Sequence, residues 1–252
     1  MRQARLPLRL NGSHPMATRL RLFPLNAVLF PGTALNLHVF EPRYKQMIGE
    51  CLETGEGFGV VLIREGQEAG DPSVEPHQIG STAEIVDVTP LPFGRFYIAT
   101  VGRERFRIRR IVSRDPYLTV DVDLLREAER DNGDVADLEQ GVREIFLQYL
   151  ELLAKFTGER SNVDLPANAQ AVSYIVADTL QVSDTIKQRL LEVETTKERL
   201  RMELGFMRRL LPQMRKLLER RDAEQKAKAE RGEDEQHRTE QERYFGKYFS
   251  SN

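Results

Sequence analysis

The apolar residues of this chain keep one rhythm as far as Leu125 and another after Arg126, and that change limits the fold more than any single motif. Before it, apolar side chains come in short runs or alternate with polar ones, the pattern of strands whose successive side chains point to opposite faces. Residues 58–63 form a continuous apolar run, suited to a strand buried on both faces. Residues 81–88, 95–101, 106–112 and 117–122 read as further strands, punctuated by Gly and Pro. Strands this short and this evenly spaced suggest a small barrel or sandwich. Leu91-Pro92-Phe93-Gly94 reads as a hairpin tip, and Gly102 as the start of another turn. One helix interrupts, from Pro42 to about Glu53, with Tyr44, Met47, Ile48, Cys51 and Leu52 along one face.

After Arg126 the period becomes helical. Val135, Leu138, Val142, Ile145, Tyr149, Leu152 and Phe156 step by three and four, and a shorter helix follows over residues 168–180. Ile186, Val193, Leu200, Met207 and Met214 then recur every seven residues, as do Leu190, Lys197, Leu204, Leu211 and Leu218, with Lys197 alone breaking the seam. A helix over residues 184–221 would be about 55 Å long, and Pro212 should kink or split it near Arg208. Past Arg221 the chain is charged, offers nothing to bury, and reads as disorder. Tyr244-Phe245 and Tyr248-Phe249 read as a frayed end. The resulting division is a disordered extension (1–18), a β-barrel (19–125), a linker (126–133), a helical subdomain (134–221) and a charged, disordered tail (222–252).

Composition removes several functional classes. Lys+Arg 37 against Asp+Glu 39 gives a net charge of −2, so no global field draws the chain to nucleic acid or an anionic membrane. Cys51 is the single cysteine and sits in an apolar helical run, the setting of a buried, inert thiol. No apolar run approaches the ~20 residues of a membrane span. Residues 1–16 lack the core of a signal peptide, Met16 is a candidate start, and a cytoplasmic protein is expected. There is no G-x-x-x-x-G-K-[ST] to cradle ATP phosphates, no G-x-S-x-G, and no evident Ser-Lys or Ser-His arrangement. Glu65, Glu68, Asp71, Glu75 and His77 cluster in sequence, but their spacing matches no ligand pattern, and a solvated acidic loop is expected. The chain is therefore read as a non-enzyme without metal or cofactor.

LFPLNAVLFPG, followed in order by NLHVFEPRYKQMI, FGVVL, IGSTAEIVDV and VGRERFRI, resembles the amino-terminal domain of Lon-type ATP-dependent proteases, and most closely its stand-alone versions. The resemblance covers roughly residues 20–218. It implies an α+β fold: a PUA-like β-barrel with an inserted helix, then an α-helical bundle ending in a long helix. In a full protease, an ATPase module and a Ser-Lys peptidase module follow the helical segment. This chain ends where they would begin, so neither ATP hydrolysis nor peptide cleavage is expected of it. The family's association with substrate recognition implies a non-catalytic module for unfolded or extended polypeptide, an adaptor in protein quality control. Phe40, Phe93 and Tyr97 are the candidate contact residues.

The alternative is an RNA-binding module of the same barrel class. Arg103, Arg105 and Arg107, with Arg109 and Arg110 beyond them, are the candidate anion-binding residues. Balanced charge argues against nucleic acid, and alternation accounts for the cluster as arginines solvated outside Phe106, Ile108 and Ile111. The family resemblance assigns Arg105 to bracing the barrel beside Gly102. Homodimerisation through the seam beyond Leu204 stays open beside packing within the chain.

Overall fold

A computed structural model describes residues 18–68, 73–126, 135–159 and 163–246, the last of these as backbone alone from residue 228. The expected N-terminal extension, the linker after Arg126 and the Tyr248-Phe249 pair lie outside these residues, Thr18 excepted. The chain divides into two compact units: the barrel segment with Leu165–Arg199, and a second unit holding the intervening helix and the chain from Leu200 on.

In the first unit, β1 (Thr18–Leu25) pairs antiparallel with β7 (Thr119–Leu125) and parallel with β3 (Phe58–Glu65). β3 pairs with β5 (Ile79–Leu91), β5 with β6 (Arg95–Ser113), and β6 with β7. These pairings return to β1, so five strands close a barrel. The short β4 (Glu75–Pro76) adds to β3.

Leu20, Leu22, Val61, Phe106, Val120 and Val122 fill the barrel. Gly59 makes room there, since a Cβ on it would lie 2.9 Å from the Phe106 ring. A second cluster forms under α1 (Pro42–Thr54), where Tyr44, Met47, Ile48 and Cys51 meet Phe23, Leu25, Phe58 and Val60. Both faces of β1 and β3 are thus buried, which is why residues 58–63 read as an unbroken apolar run. Leu52, expected on the buried face of α1, is 44% exposed.

β6 corrects the turn expected at Gly102. It is a single 19-residue strand that passes straight through that position. Gly102 is glycine because the loop before Pro31 lies against it: an added Cβ would sit 2.2 Å from the Phe30 carbonyl oxygen. The Gly32 amide donates to the Gly102 carbonyl at 2.8 Å, and the Gly102 amide to Thr33 at 2.9 Å. The glycine signals a close approach of two backbones. Before Gly102, β6 leaves the barrel ring and runs between β5 and β2 (Ala34–Val39) as a three-stranded flap.

The helices are also regrouped. The sequence reading places residues 134–221 in one subdomain, yet α3 (Ala169–Thr179) and α4 (Asp184–Glu192) belong to the barrel unit. The helix expected over 184–221 breaks at Val193, with φ −58 and ψ 133, and α5 (Thr196–Gly246) starts afresh. The break has its own partners. Arg105 on β6 donates to the Leu191 carbonyl at 2.7 Å and to the Val193 carbonyl, satisfying acceptors at the end of α4. The Thr195 hydroxyl accepts from the Glu198 amide at 3.2 Å and starts the next helix. The first heptads therefore sit on a different helix from the rest.

In the second unit α2 (Ala136–Thr157) buries Val142, Tyr149 and Leu152 of its expected three-four period, with Phe146 buried in place of Ile145, which is half-buried. Arg215 donates to the Gln148 side chain at 3.0 Å and Arg221 to the Phe156 carbonyl at 3.4 Å, which places α5 alongside α2. Pro212 lies inside α5, which continues past it without a split. The helix also continues to Gly246, where the sequence reading expects disorder after Arg221. Ala, Glu, Lys, Gln and Arg dominate that stretch, all good helix formers, so helix can persist without an apolar stripe. Among the described residues, no helix is long and apolar enough to cross a membrane.

Candidate functional site

The flap has one wet face and one dry face, as the two-residue period of its strands requires. Leu35, Leu37, Phe96, Ile85 and Val88 pack against the cluster under α1, which also holds Val39 and Ile98. The opposite parity carries Asn36 and His38 on β2 and Tyr97 on β6. His38 lies directly across from Tyr97, and Tyr97 across from Thr89 on β5. The His38 ring centroid is 4.7 Å from that of Tyr97 and 5.5 Å from that of Phe40. Phe40 and Tyr97 are each 53% exposed. The structure thus brings two of the three expected contact residues together, with His38 between them.

His38 is not among the contact residues expected from the sequence. Its signal was present: it shares the parity of Phe40, which the alternation puts on the same side.

Phe93, the third candidate, is held apart at the tip of the β5–β6 hairpin. It is 88% exposed and has φ +65, a region that bulky residues seldom enter. The tip is fastened around it. The Lys45 ammonium donates to the Phe93 carbonyl at 3.2 Å, the Arg95 guanidinium donates to Pro92 at 3.0 Å, and that same guanidinium lies 6.0 Å from the Phe93 ring.

Beneath the flap, α1 is tied to the barrel by polar contacts. Arg21 bonds Glu50 at 3.3 Å and Glu56 at 2.9 Å, and the Tyr117 hydroxyl donates to Glu50. That hydroxyl, then Gln46 and Arg21, hold the Glu50 carboxyl below its usual range. Burial pushes the Cys51 thiol up to about 11, so it is neutral and inert at physiological pH.

The arginines expected to bind anions are not gathered into a track. Arg103 is exposed but engaged with Glu84, Arg105 is buried with its guanidinium on the α4 carbonyls, and Arg107 is exposed. Arg103 and Arg105 do line an open depression of about 650 Å³, but Glu104 shares it. The row that the RNA alternative needs does not form. In the acidic loop, Glu75 pairs with Arg114 and Glu68 accepts from the Asn26 amide at 3.0 Å; Asp71 is outside the described residues. Among the described residues no group of three His, Cys, Asp or Glu could hold a metal ion.

Comparison with known proteins follows the same line. A family model described as the ATP-dependent protease La (LON) substrate-binding domain matches residues 19–209. The Lon protease of Flavobacterium johnsoniae is 28% identical over 200 residues, covering 75% of this chain and 24% of that protein. Lon protease 2 of Syntrophobacter fumaroxidans is 27% identical over 199 residues, covering 78% and 25%. The chain therefore spans about a quarter of the length of these relatives. A Lon N-terminal domain protein from Xanthomonas campestris matches with a TM-score of 0.57 at 28% identity, over 75% of this chain and 99% of that one. The N-terminal domain of a Mycobacterium avium complex Lon protease gives 0.56 at 17% identity, over 75% and 98%, a likeness of fold alone. With the family model covering most of its length, the chain belongs to the LON substrate-binding domain family.

Proposed function

We propose that the chain is a non-catalytic recognition module whose flap holds extended or unfolded polypeptide, and that it serves as an adaptor delivering such chains to a separate processing machine. The observation that carries this reading is the exposed Phe40–His38–Tyr97 cluster on a flap packed against the α1 core. Exposed aromatic area on a firmly held surface is the usual basis for gripping apolar side chains of varied sequence. Covering the exposed halves of two aromatic rings removes about 200 Å² from water, or about 5 kcal/mol before ordering costs. That magnitude suits weak, sequence-tolerant binding. Phe93 at the hairpin tip offers a further contact. The substrate-binding description of the family supports the same reading.

The test is a titration of a labelled, reduced and alkylated polypeptide, read by anisotropy. Saturable binding at micromolar concentration is expected, weakened when Phe40 and Tyr97 are both changed to alanine. A flat titration at high micromolar concentration defeats the proposal. The same preparation is expected neither to hydrolyse ATP nor to cut the polypeptide.

A further inference from the structure

We propose that the bound polypeptide joins the flap as an added strand along the open edge of β2. This rests on the polypeptide-binding reading and specifies how the chain is held. Among the described residues, β2 pairs with β6 on one side and with no strand on the other.

Alternation identifies the backbone groups that face the open side. In an antiparallel pair, directly opposed residues alternately exchange two hydrogen bonds and none. The Gly102 amide donates to the Thr33 carbonyl at 2.9 Å, a rung in line with the register Leu35↔Thr100, Leu37↔Ile98 and Val39↔Phe96. Rungs two residues apart repeat, so Leu35, Leu37 and Val39 turn their N–H and C=O groups toward β6. Ala34, Asn36 and His38 turn theirs outward.

Exposed edges are ordinarily blunted with lysine, proline, a bulge or an inward-pointing charge. Ala34-Leu35-Asn36-Leu37-His38-Val39 contains no lysine, proline or carboxylate, and its register with β6 runs without a shift. The edge is left able to pair. A strand laid against it places side chains of one parity beside His38 and Phe40, with Tyr97 one strand further in. Backbone pairing supplies affinity without regard to sequence, and the aromatic side favours large apolar residues at alternate positions.

The occupant is an extended segment of another polypeptide rather than a second copy of this chain. A six-residue edge is about 20 Å long. Two such edges joined around a two-fold axis cover far less than the ~1,200 Å² of a stable interface. A flexible chain takes the same rungs and continues over the aromatic cluster.

The experiment measures amide hydrogen exchange on the full chain, with and without a short labelled peptide that alternates valine and lysine. Binding is followed in parallel by anisotropy. At saturation the Asn36 and His38 amides are expected to exchange about tenfold more slowly. Asn36→Pro removes one outward donor and no β6 rung, and is expected to bind about fivefold more weakly with unchanged thermal unfolding. Should that variant misfold, exchange in the unaltered chain decides. Saturable binding with unchanged exchange at both amides overturns strand addition and leaves the polypeptide reading standing. The absence of saturable binding overturns the polypeptide reading itself. Slow exchange without peptide, accompanied by a doubled sedimentation mass, assigns the edge to a second copy and overturns the choice of occupant.

Discussion

The two halves of β6 share a strand and little else. From Arg105 to Arg107 it runs between β5 and β7 inside the closed ring, and from there to Ser113 it stays paired with β7. Its outer surface there is bound up in charge pairs: Arg109 with Asp123, and Arg110 with Asp121, which also holds Arg19 of β1. From Arg95 to Val101 the neighbour on one side is β2, beyond which pairing stops. The exposed surface there is aromatic. Closure stabilises a barrel by removing edges, and by doing so it also removes places where another chain can attach. The half outside the ring keeps an edge and an apolar face, and the proposed function falls there.

Breaking the junction between the halves is expected to have the largest effect. Gly102→Val drives side-chain carbons into the Phe30 carbonyl, where even a Cβ would sit 2.2 Å from the oxygen. A loss of about 3 kcal/mol or more is expected in denaturant unfolding. A near-neutral result would mean that the loop yields easily.

Arg105→Met tests whether the closed half is braced from outside. It leaves the Leu191 and Val193 carbonyls without their donor, at a cost of about 2 kcal/mol, with amide exchange in α4 accelerating first. Uniform acceleration across the unit would argue against a local brace.

Asp121→Asn probes the charge staple across β1, β7 and β6. Its hydrogen bonds with Arg110, then Arg19, hold the Asp121 carboxyl below its usual range. A depressed carboxyl stabilises the fold above its unfolded pKa of about 3.9, and that contribution disappears as pH falls through the lower folded value. The variant should unfold more readily than the parent near neutrality, and the two should converge in acid. A gap that persists at low pH would show that the effect is packing.

The smallest effect on stability is expected from the open half. Phe40→Ala with Tyr97→Ala should shift stability by no more than about 0.5 kcal/mol each, since both rings are half in water. Affinity for unfolded polypeptide should fall about tenfold. A large drop in stability would make the cluster structural and remove the contrast.

Much of this was legible in residue spacing. The buried run of β3, the α1 helix entered through Pro42, and the three-four period of α2 each follow from local sequence, and each is present. The misreadings share a cause. Gly102 reads as a turn, although its role lies in the backbone of Phe30, far away in sequence. The seam from Ile186 reads as one helix because heptads do not record that Arg105 satisfies the carbonyls at the end of α4. The solvated reading of the arginines fails at Arg105, because alternation says nothing of which helix will cover a face. At the candidate site, Phe40, Phe93 and Tyr97 were found as exposed aromatics. His38 shares the parity of Phe40, but its nearer ring partner, Tyr97, comes from β6 and is set only by the register.

Periodicity and turn chemistry settle the kinds of element and their order, because backbone geometry and the burial of alternate or every third and fourth side chain act over a few residues. Which strands close into a ring, which edge stays open, and which arginine is spent on a helix end depend on contacts between segments tens of residues apart. Those arise only when the chain has packed, and they are what separates the half of β6 within the ring from the half beside the open edge of β2.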